Sequence, residues 1–288
     1  MTKPIFSFSV ISDVHISEKD VGAHQKLVHA LQDLQQIVPD YDAIIVNGDM
    51  INDGREESYG KLTELLDEHL QKEAFFAIGN HEFFNNDGNE AAIQRYFKFA
   101  GVDSVYYEKI MKGIPFIFLG SEGAGPMGSP TQDCAVLSET QLDWLDSRLK
   151  KHAQSAGPIF VCLHQPIPYT ISGTDHPHYQ QLIISHNKLV ERLANYPQVV
   201  YFSGHSHWDL RIPGLFLRKQ FAMVNTGGVY NTWGLDAQGN EVVIDAHGSQ
   251  GLFVEVYADK VIIKGRDFAK QQWIEEFTHT IIVNEQKN

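Results

Sequence analysis

The sequence predicts an α/β fold in which two β-sheets lie together with helices outside them. Two observations carry this: the first eighty or so residues alternate strand-like and helix-like segments, and the second half holds more strand-like runs than helical ones. No Gly/Ser- or Pro-rich linker interrupts the 288 residues, so a single domain is expected over 1–288, with 240–288 a strand-rich extension of it.

The elements follow in order. Residues 5–12 are a short apolar run ending in a polar cluster, the pattern of a buried strand. Residues 24–38 set Leu27, Ala30, Leu31, Leu34 and Val38 at helical spacing, and Pro39 stops the helix. A second strand over 43–47 runs into Gly48-Asp49. A helix over 56–70 carries Leu62, Leu65, Leu66 and Leu70 on one stripe. A third strand over 74–78 opens into Gly79-Asn80-His81-Glu82. Beyond it, 89–100 reads as a helix, and 104–110 with 114–120 as two strands around a Lys112-Gly113 turn. The Gly- and Pro-rich stretch 121–137 is a loop. Ser138-Glu-Thr-Gln141 has the form of a capping box heading a helix to Lys151. A strand over 159–163 delivers His164. The long polar and aromatic stretch 165–184 is a loop, 187–196 a helix, and 199–203 a strand delivering Gly204-His205-Ser206-His207. Four more strands are expected at 221–225, 242–246, 252–257 and 261–264. The segment 278–283 could form an exposed edge that pairs with a second subunit of a homo-oligomer.

Charge and composition remove whole classes of function. The chain carries 23 Lys and Arg against 36 Asp and Glu, a net charge of -13. A field of that sign repels duplex nucleic acid and anionic membranes. No apolar run approaches the roughly 18 residues that span a bilayer, and the N-terminal stretch lacks the apolar core of a secretion signal. A cytoplasmic protein is expected. Cys134 and Cys162 are too few for a disulfide framework. The acidic residues Asp20, Asp33, Glu56, Glu57, Asp67 and Glu68 read as a solvated face.

Histidine departs from the average: there are fourteen, and several stand beside Asp, Asn and Gly directly after apolar runs. The clusters are Asp13-Val-His15, Gly48-Asp49, Asn80-His81, His164 and His205-Ser-His207. In open α/β sheets, loops at the carboxyl ends of strands converge, so these side chains are expected to meet. Asp13 with His15, and His205 with His207, stand two residues apart, which on extended chain puts each pair on one face. Carboxylate and imidazole together suit divalent ions such as zinc, manganese and iron. Asp13, His15, Asp49, Asn80, His164, His205 and His207 are too many ligands for one ion but suit two if Asp49 bridges them. Two ions about 3.5 to 4 Å apart clamp a phosphoryl group and acidify a bridging water. His81 is left over, as a general acid should be.

In this order the motifs resemble the calcineurin-like metallophosphoesterases, whose pattern is D-x-H, G-D, G-N-H-[DE], H and G-H-x-H. The resemblance runs from residue 5 to about 230, including Asn225-Thr-Gly-Gly228. It implies a four-layer αββα sandwich of two mixed sheets flanked by helices. It implies one metal on Asp13, His15, Asp49 and His207, and a second on Asp49, Asn80, His164 and His205. Asp49, Asn80 and His81 would be the catalytic residues, with His81 at the leaving oxygen and oriented by Glu82 or Asp53. Purple acid phosphatases carry a tyrosine ligand where this sequence has Asn52, so that iron site is not implied. The form of the motifs is most similar to the bacterial branch acting on cyclic nucleotides and glycerophosphodiesters.

The expectation is a phosphodiesterase with two bound ions and a small phosphoester substrate. Its alternatives are a phosphomonoesterase or nucleotidase of the same fold, a nuclease, and a non-catalytic scaffold. A nuclease would want a basic surface that this sequence lacks, and the intact ligand set with His81 counts against the scaffold. A serine hydrolase fails for want of a G-x-S-x-G elbow. His176 and His178 in the loop 165–184 are open between substrate contact and ordinary surface, as are Tyr230 and Trp233 after the glycine turn. His24, His29, His69, His152, His186, His247 and His279 read as surface or core residues.

Overall fold

A computed structural model describes residues 3–283 of the chain. One six-stranded sheet grows outward from β1 (Phe6–Ile11). On one side β1 pairs in parallel with β2 (Ala43–Asn47), which pairs in parallel with β3 (Glu73–Ala77). On the other side it pairs antiparallel with β12 (Gln250–Val256), followed by β13 (Lys260–Asp267) and the edge strand β14 (Gln272–Ile282). The second six-stranded sheet runs β4 (Tyr107–Met111), β5 (Ile114–Phe118), β6 (Ile159–Cys162), β7 (Val199–Ser203), β9 (Ala222–Asn225) and β8 (Phe216–Arg218). Its four middle strands are parallel and its two outer pairings antiparallel. A separate ribbon joins β10 (Thr232–Leu235) to β11 (Glu241–Asp245).

Alternation along the strands makes the layers. Phe6, Phe8 and Val10 of β1 face Phe116, Phe118, Phe160 and Phe202 of the other sheet in one core, where Phe8 meets Phe116 edge-on at 5.0 Å between centroids. The residues between them point outward. Ile44 and Val46 pack beneath α1 (Val21–Ile37), α2 (Glu56–His69) and α3 (Asn89–Ala100), while Val161 and Tyr201 pack beneath α4 (Glu139–His152) and α5 (His186–Leu193). This is the four-layer αββα arrangement. Polar pins cross it at the strands' carboxyl end. The fully buried Asn47 of β2 donates through Nδ2 to the carbonyls of Leu163 and Phe202, both at 3.2 Å.

Several local expectations need correction. Helix α1 starts at Val21, because the Asp20 side chain caps it by accepting from the Ala23 N–H at 3.1 Å. Asp33 is not solvated: it is buried and takes two 2.7 Å bonds from the Arg266 guanidinium. The capping box on α4 is half formed. Ser138 accepts from the Gln141 N–H, but the Gln141 side chain turns away to pair with the backbone of Gly120, and Glu122 takes the Ser138 N–H instead. Strands β8 and β10 carry no alternating pattern strong enough to read in advance, and β14 is longer than the six residues expected because the sheet supplies its partner. Among the described residues no helix is long and apolar enough to cross a membrane.

Candidate metal centre

The strand ends of both sheets bring all seven expected ligands to one cavity region. Asp13 and His15 follow β1, Asp49 follows β2, and Asn80 follows β3, while His164 follows β6 and His205 and His207 follow β7. The pairs two residues apart do not lie on extended chain as expected. Asp13, His15, Asp49, His205 and His207 have φ of 54°, 52°, 49°, 69° and 53°, the left-handed region. Such backbone costs on the order of 1 to 3 kcal/mol per residue, at the mild end for Asp and His. It survives because neighbouring backbone over-determines it: Val14 and His15 donate to the Asp49 carbonyl at 2.8 and 3.0 Å, and Tyr230 N–H to the Asp13 carbonyl at 2.9 Å. Gly48, at φ +88°, has no side chain because a Cβ there would overlap the His164 ring.

Three overlapping groups result, with ligand atoms within 4.8 Å of one another in each: Asp13, His15 and His207; His15, Asp49 and His81; Asp49, His164 and His205. His15 Nε2 faces His207 Nε2 at 2.9 Å, and His207 Nε2 lies 3.3 Å from Asp13 Oδ1. His205 Nδ1 is 3.0 Å from Asn80 Oδ1. His164 Nε2 lies 3.1 Å from Asp49 Oδ2, yet in a direction that makes no hydrogen bond, so this buried nitrogen has no hydrogen-bond partner. Imidazole nitrogens and carboxylates converging in this way fit divalent cations.

The surrounding contacts fix which nitrogen points inward. His164 Nδ1–H donates to the Asn47 carbonyl and His81 Nδ1–H to the Asn52 carbonyl, both at 2.8 Å. His207 Nδ1–H donates to Asn231 Oδ1 at 2.7 Å, and the same oxygen accepts Trp233 Nε1–H at 2.9 Å. In each case Nε2 is left for a ligand or a proton. Glu82 and Asp53 do not orient His81. Glu82, fully buried, accepts the backbone N–H groups of Asp49, Met50, Ile51 and Gly79, and Asp53 accepts from the Arg55 N–H at the start of α2.

Charge is concentrated here. Burial pushes the Asp13 carboxyl up, but His207 and then His164 pull it down to about 2. Burial disfavours charge on His164 as well, yet Asp49 and Asp13 raise it to about 10. Burial and the neighbouring His164 lower His205 to about 3. Burial, then the Asp49 charge, raises Glu82 to about 8 against the pull of its backbone donors.

A cavity of about 430 Å³ opens over the cluster. His178 and Tyr179 of the loop 165–184 line it, as do Tyr230 and Trp233, whereas His176 does not. Asn231, Asp133 and Glu241 were missed in the sequence; they carry no motif, since they reach the cavity from a loop or the β10–β11 ribbon folded beside it. Asn52, noted there only as the position of a tyrosine this chain lacks, contributes its carbonyl.

Two mixed sheets with a carboxylate–imidazole cluster at their strand ends make a scaffold suited to divalent cations. The chain belongs to the calcineurin-like phosphoesterase family, whose model matches residues 6–209. It is 26% identical over 205 residues to a probable glycerophosphodiester phosphodiesterase, GpdQ, of Arcobacter nitrofigilis, covering 68% of this chain and 70% of that protein. It is also 26% identical over 214 residues to a 3',5'-cyclic-nucleotide phosphodiesterase of Nostoc sp., covering 71% and 73%. Among solved structures, a dimetal phosphatase from Danio rerio superposes with a TM-score of 0.69 at 17% identity, over 98% of this chain and all of the other. A purple acid phosphatase from yellow lupin gives 0.68 at 12% identity, over 98% of this chain and 54% of that one. These two show the fold.

Proposed function

We propose that the chain is a dinuclear metal-dependent phosphodiesterase. Asp13, His15, Asp49 and His207 would hold one ion, and Asp49, Asn80, His164 and His205 the other. The observation that carries this is the overlap of the ligand groups, in which Asp49 sits both with His15 and with His164 and His205. Iron, manganese and zinc suit such a set. When bound, a metal pair polarises phosphoryl oxygens and supplies a nucleophile from water.

His81 lines the cavity, and its Nε2, freed by the Asn52 carbonyl, is 3.9 Å from Asp49 Oδ2. It is placed to protonate a departing alkoxide. The Asp49 Oδ1 accepts the His81 backbone N–H at 2.9 Å, which ties the acid to the ligand cluster. Asn80 is held from behind by Asp133, which accepts its Nδ2–H at 2.9 Å. Among the described residues lining the cavity none is Lys or Arg, and Asp133 and Glu241 stand on its wall. That wall suits the single charge of a phosphodiester better than the double charge of a monoester. The phosphodiesterase names of the two relatives agree with this reading. Residues 240–283 would act within one domain, since β12 to β14 continue the sheet of β1, and the edge strand β14 offers a second copy a place to pair; 284–288 lie outside the described residues.

The test is hydrolysis of bis-p-nitrophenyl phosphate, p-nitrophenyl phosphate, cyclic AMP and a glycerophosphodiester by metal-loaded protein with chelator controls. Chelator-sensitive turnover of diesters ahead of the monoester is expected. Monoester preference would overturn the substrate class, and no turnover with any metal would favour the scaffold.

A further inference from the structure

Outside the ligand cluster, the cavity wall carries one carboxylate whose hydrogen bonds are all on one oxygen. Glu241, at the start of β11, receives Tyr179 Oη–H and Trp208 Nε1–H on the same atom, Oε1, the latter at 2.8 Å. Tyr179 and Trp208 are themselves buried, at 3% exposure each, so these donors are fixed and locate the carboxylate. Oε2 receives no hydrogen bond or ion pair from any described residue, although Glu241 lines the same cavity as the ligand cluster. A carboxylate has room for about four hydrogen bonds. The position is continuous with the centre, because the Tyr179 ring stands edge-on to His205 at 5.9 Å. Trp233, on the strand paired with β11, also lines the cavity and meets His207 at 6.4 Å.

An anion placed beside a site for phosphate works against binding unless the substrate itself answers it. We propose that Glu241 reads one alcohol arm of the phosphodiester, accepting through Oε2 a hydrogen bond from a hydroxyl or ammonium group on that arm. The substrates are then diesters of polyols or amino alcohols, not of unsubstituted alcohols. This rests on the phosphodiesterase reading and narrows it. A hydrogen bond to an ionised acceptor in a partly desolvated site is worth about tenfold or more in kcat/KM.

Mixed diesters with a constant p-nitrophenyl leaving group isolate the arm: ethyl, 2,3-dihydroxypropyl and 2-aminoethyl. The wild-type protein should prefer the two donor-bearing arms over ethyl by about tenfold or more in kcat/KM. In Glu241→Gln the amide oxygen keeps the place between Tyr179 and Trp208, while a donor replaces the acceptor at Oε2. That preference should fall below about threefold, whatever the variant's absolute rate. Wild-type turnover without arm preference, or a preference unchanged in the variant, would overturn the assignment of Glu241 and leave the phosphodiesterase reading intact. No turnover of any of the three, beside hydrolysis of p-nitrophenyl phosphate, would overturn both.

Discussion

Glu82 holds Asp49 through the backbone: its Oε2 accepts the Asp49 N–H at 3.1 Å, while Oε1 accepts the next residue, Met50, at 2.9 Å. The same carboxylate reaches Ile51 and Gly79, so one side chain clamps the two loops that carry Asp49 and Asn80. Glu82→Ala would leave several buried N–H groups unpaired, and each orphaned donor costs about 1 to 3 kcal/mol. A loss of about 3 kcal/mol or more is expected in urea unfolding. A loss under 1 kcal/mol would show that water replaces the carboxylate.

His81 belongs to the catalytic proposal but not to either ligand set. His81→Ala should therefore lower kcat by about a hundredfold or more while metal affinity by calorimetric titration changes little. Turnover near the wild-type level in metal-loaded His81→Ala would remove it as the acid.

Chelation should abolish activity and also lower the unfolding temperature by several degrees, since an ion bound only to the native state stabilises it by mass action. Manganese, zinc and iron added back singly should restore both. Recovery of the unfolding temperature without activity would mean binding at a centre that does not catalyse.

Asn231 takes the Nδ1–H of His207 and is steadied by Trp233 Nε1. Removing such an orienting partner of a metal-bound histidine commonly weakens metal affinity about 10- to 100-fold. Asn231→Ala should show that loss by titration with its unfolding temperature in chelator unchanged. Unaltered affinity would assign Asn231 to packing alone.

Asn47→Ala removes the donor shared by the Leu163 and Phe202 carbonyls. A destabilisation of about 2 kcal/mol is expected in urea unfolding, together with weaker metal binding. Weaker stability with unchanged metal affinity would limit Asn47 to the fold.

Strand ends and the convergence of the candidate ligands were legible because apolar runs stop where Asp, Asn and His begin; β2 over 43–47 and β7 over 199–203 match residue for residue. What stayed hidden depends on contacts distant in sequence. Asp33 looks like any charged residue on a helix until Arg266, 233 residues later, folds against it. Glu82 sits in a motif, and its motif position says nothing of the four backbone donors it satisfies. The left-handed backbone at Asp13 and His15 is invisible as well, because Asp and His are common in ordinary loops. Tyr179, Trp208 and Glu241 meet only because the loop 165–184 and the β10–β11 ribbon close over the strand ends.

The candidate ligands are divided between the two sheets: Asp13, His15, Asp49 and Asn80 extend from one, His164, His205 and His207 from the other. A cation shared by both sets would be a cross-link between layers that otherwise meet through the apolar core and a few polar pins. Metal affinity thus becomes a gauge of how the layers are seated. A slip of the Phe8–Phe160 contact, 5.0 Å between centroids, would then register as a loosened ion.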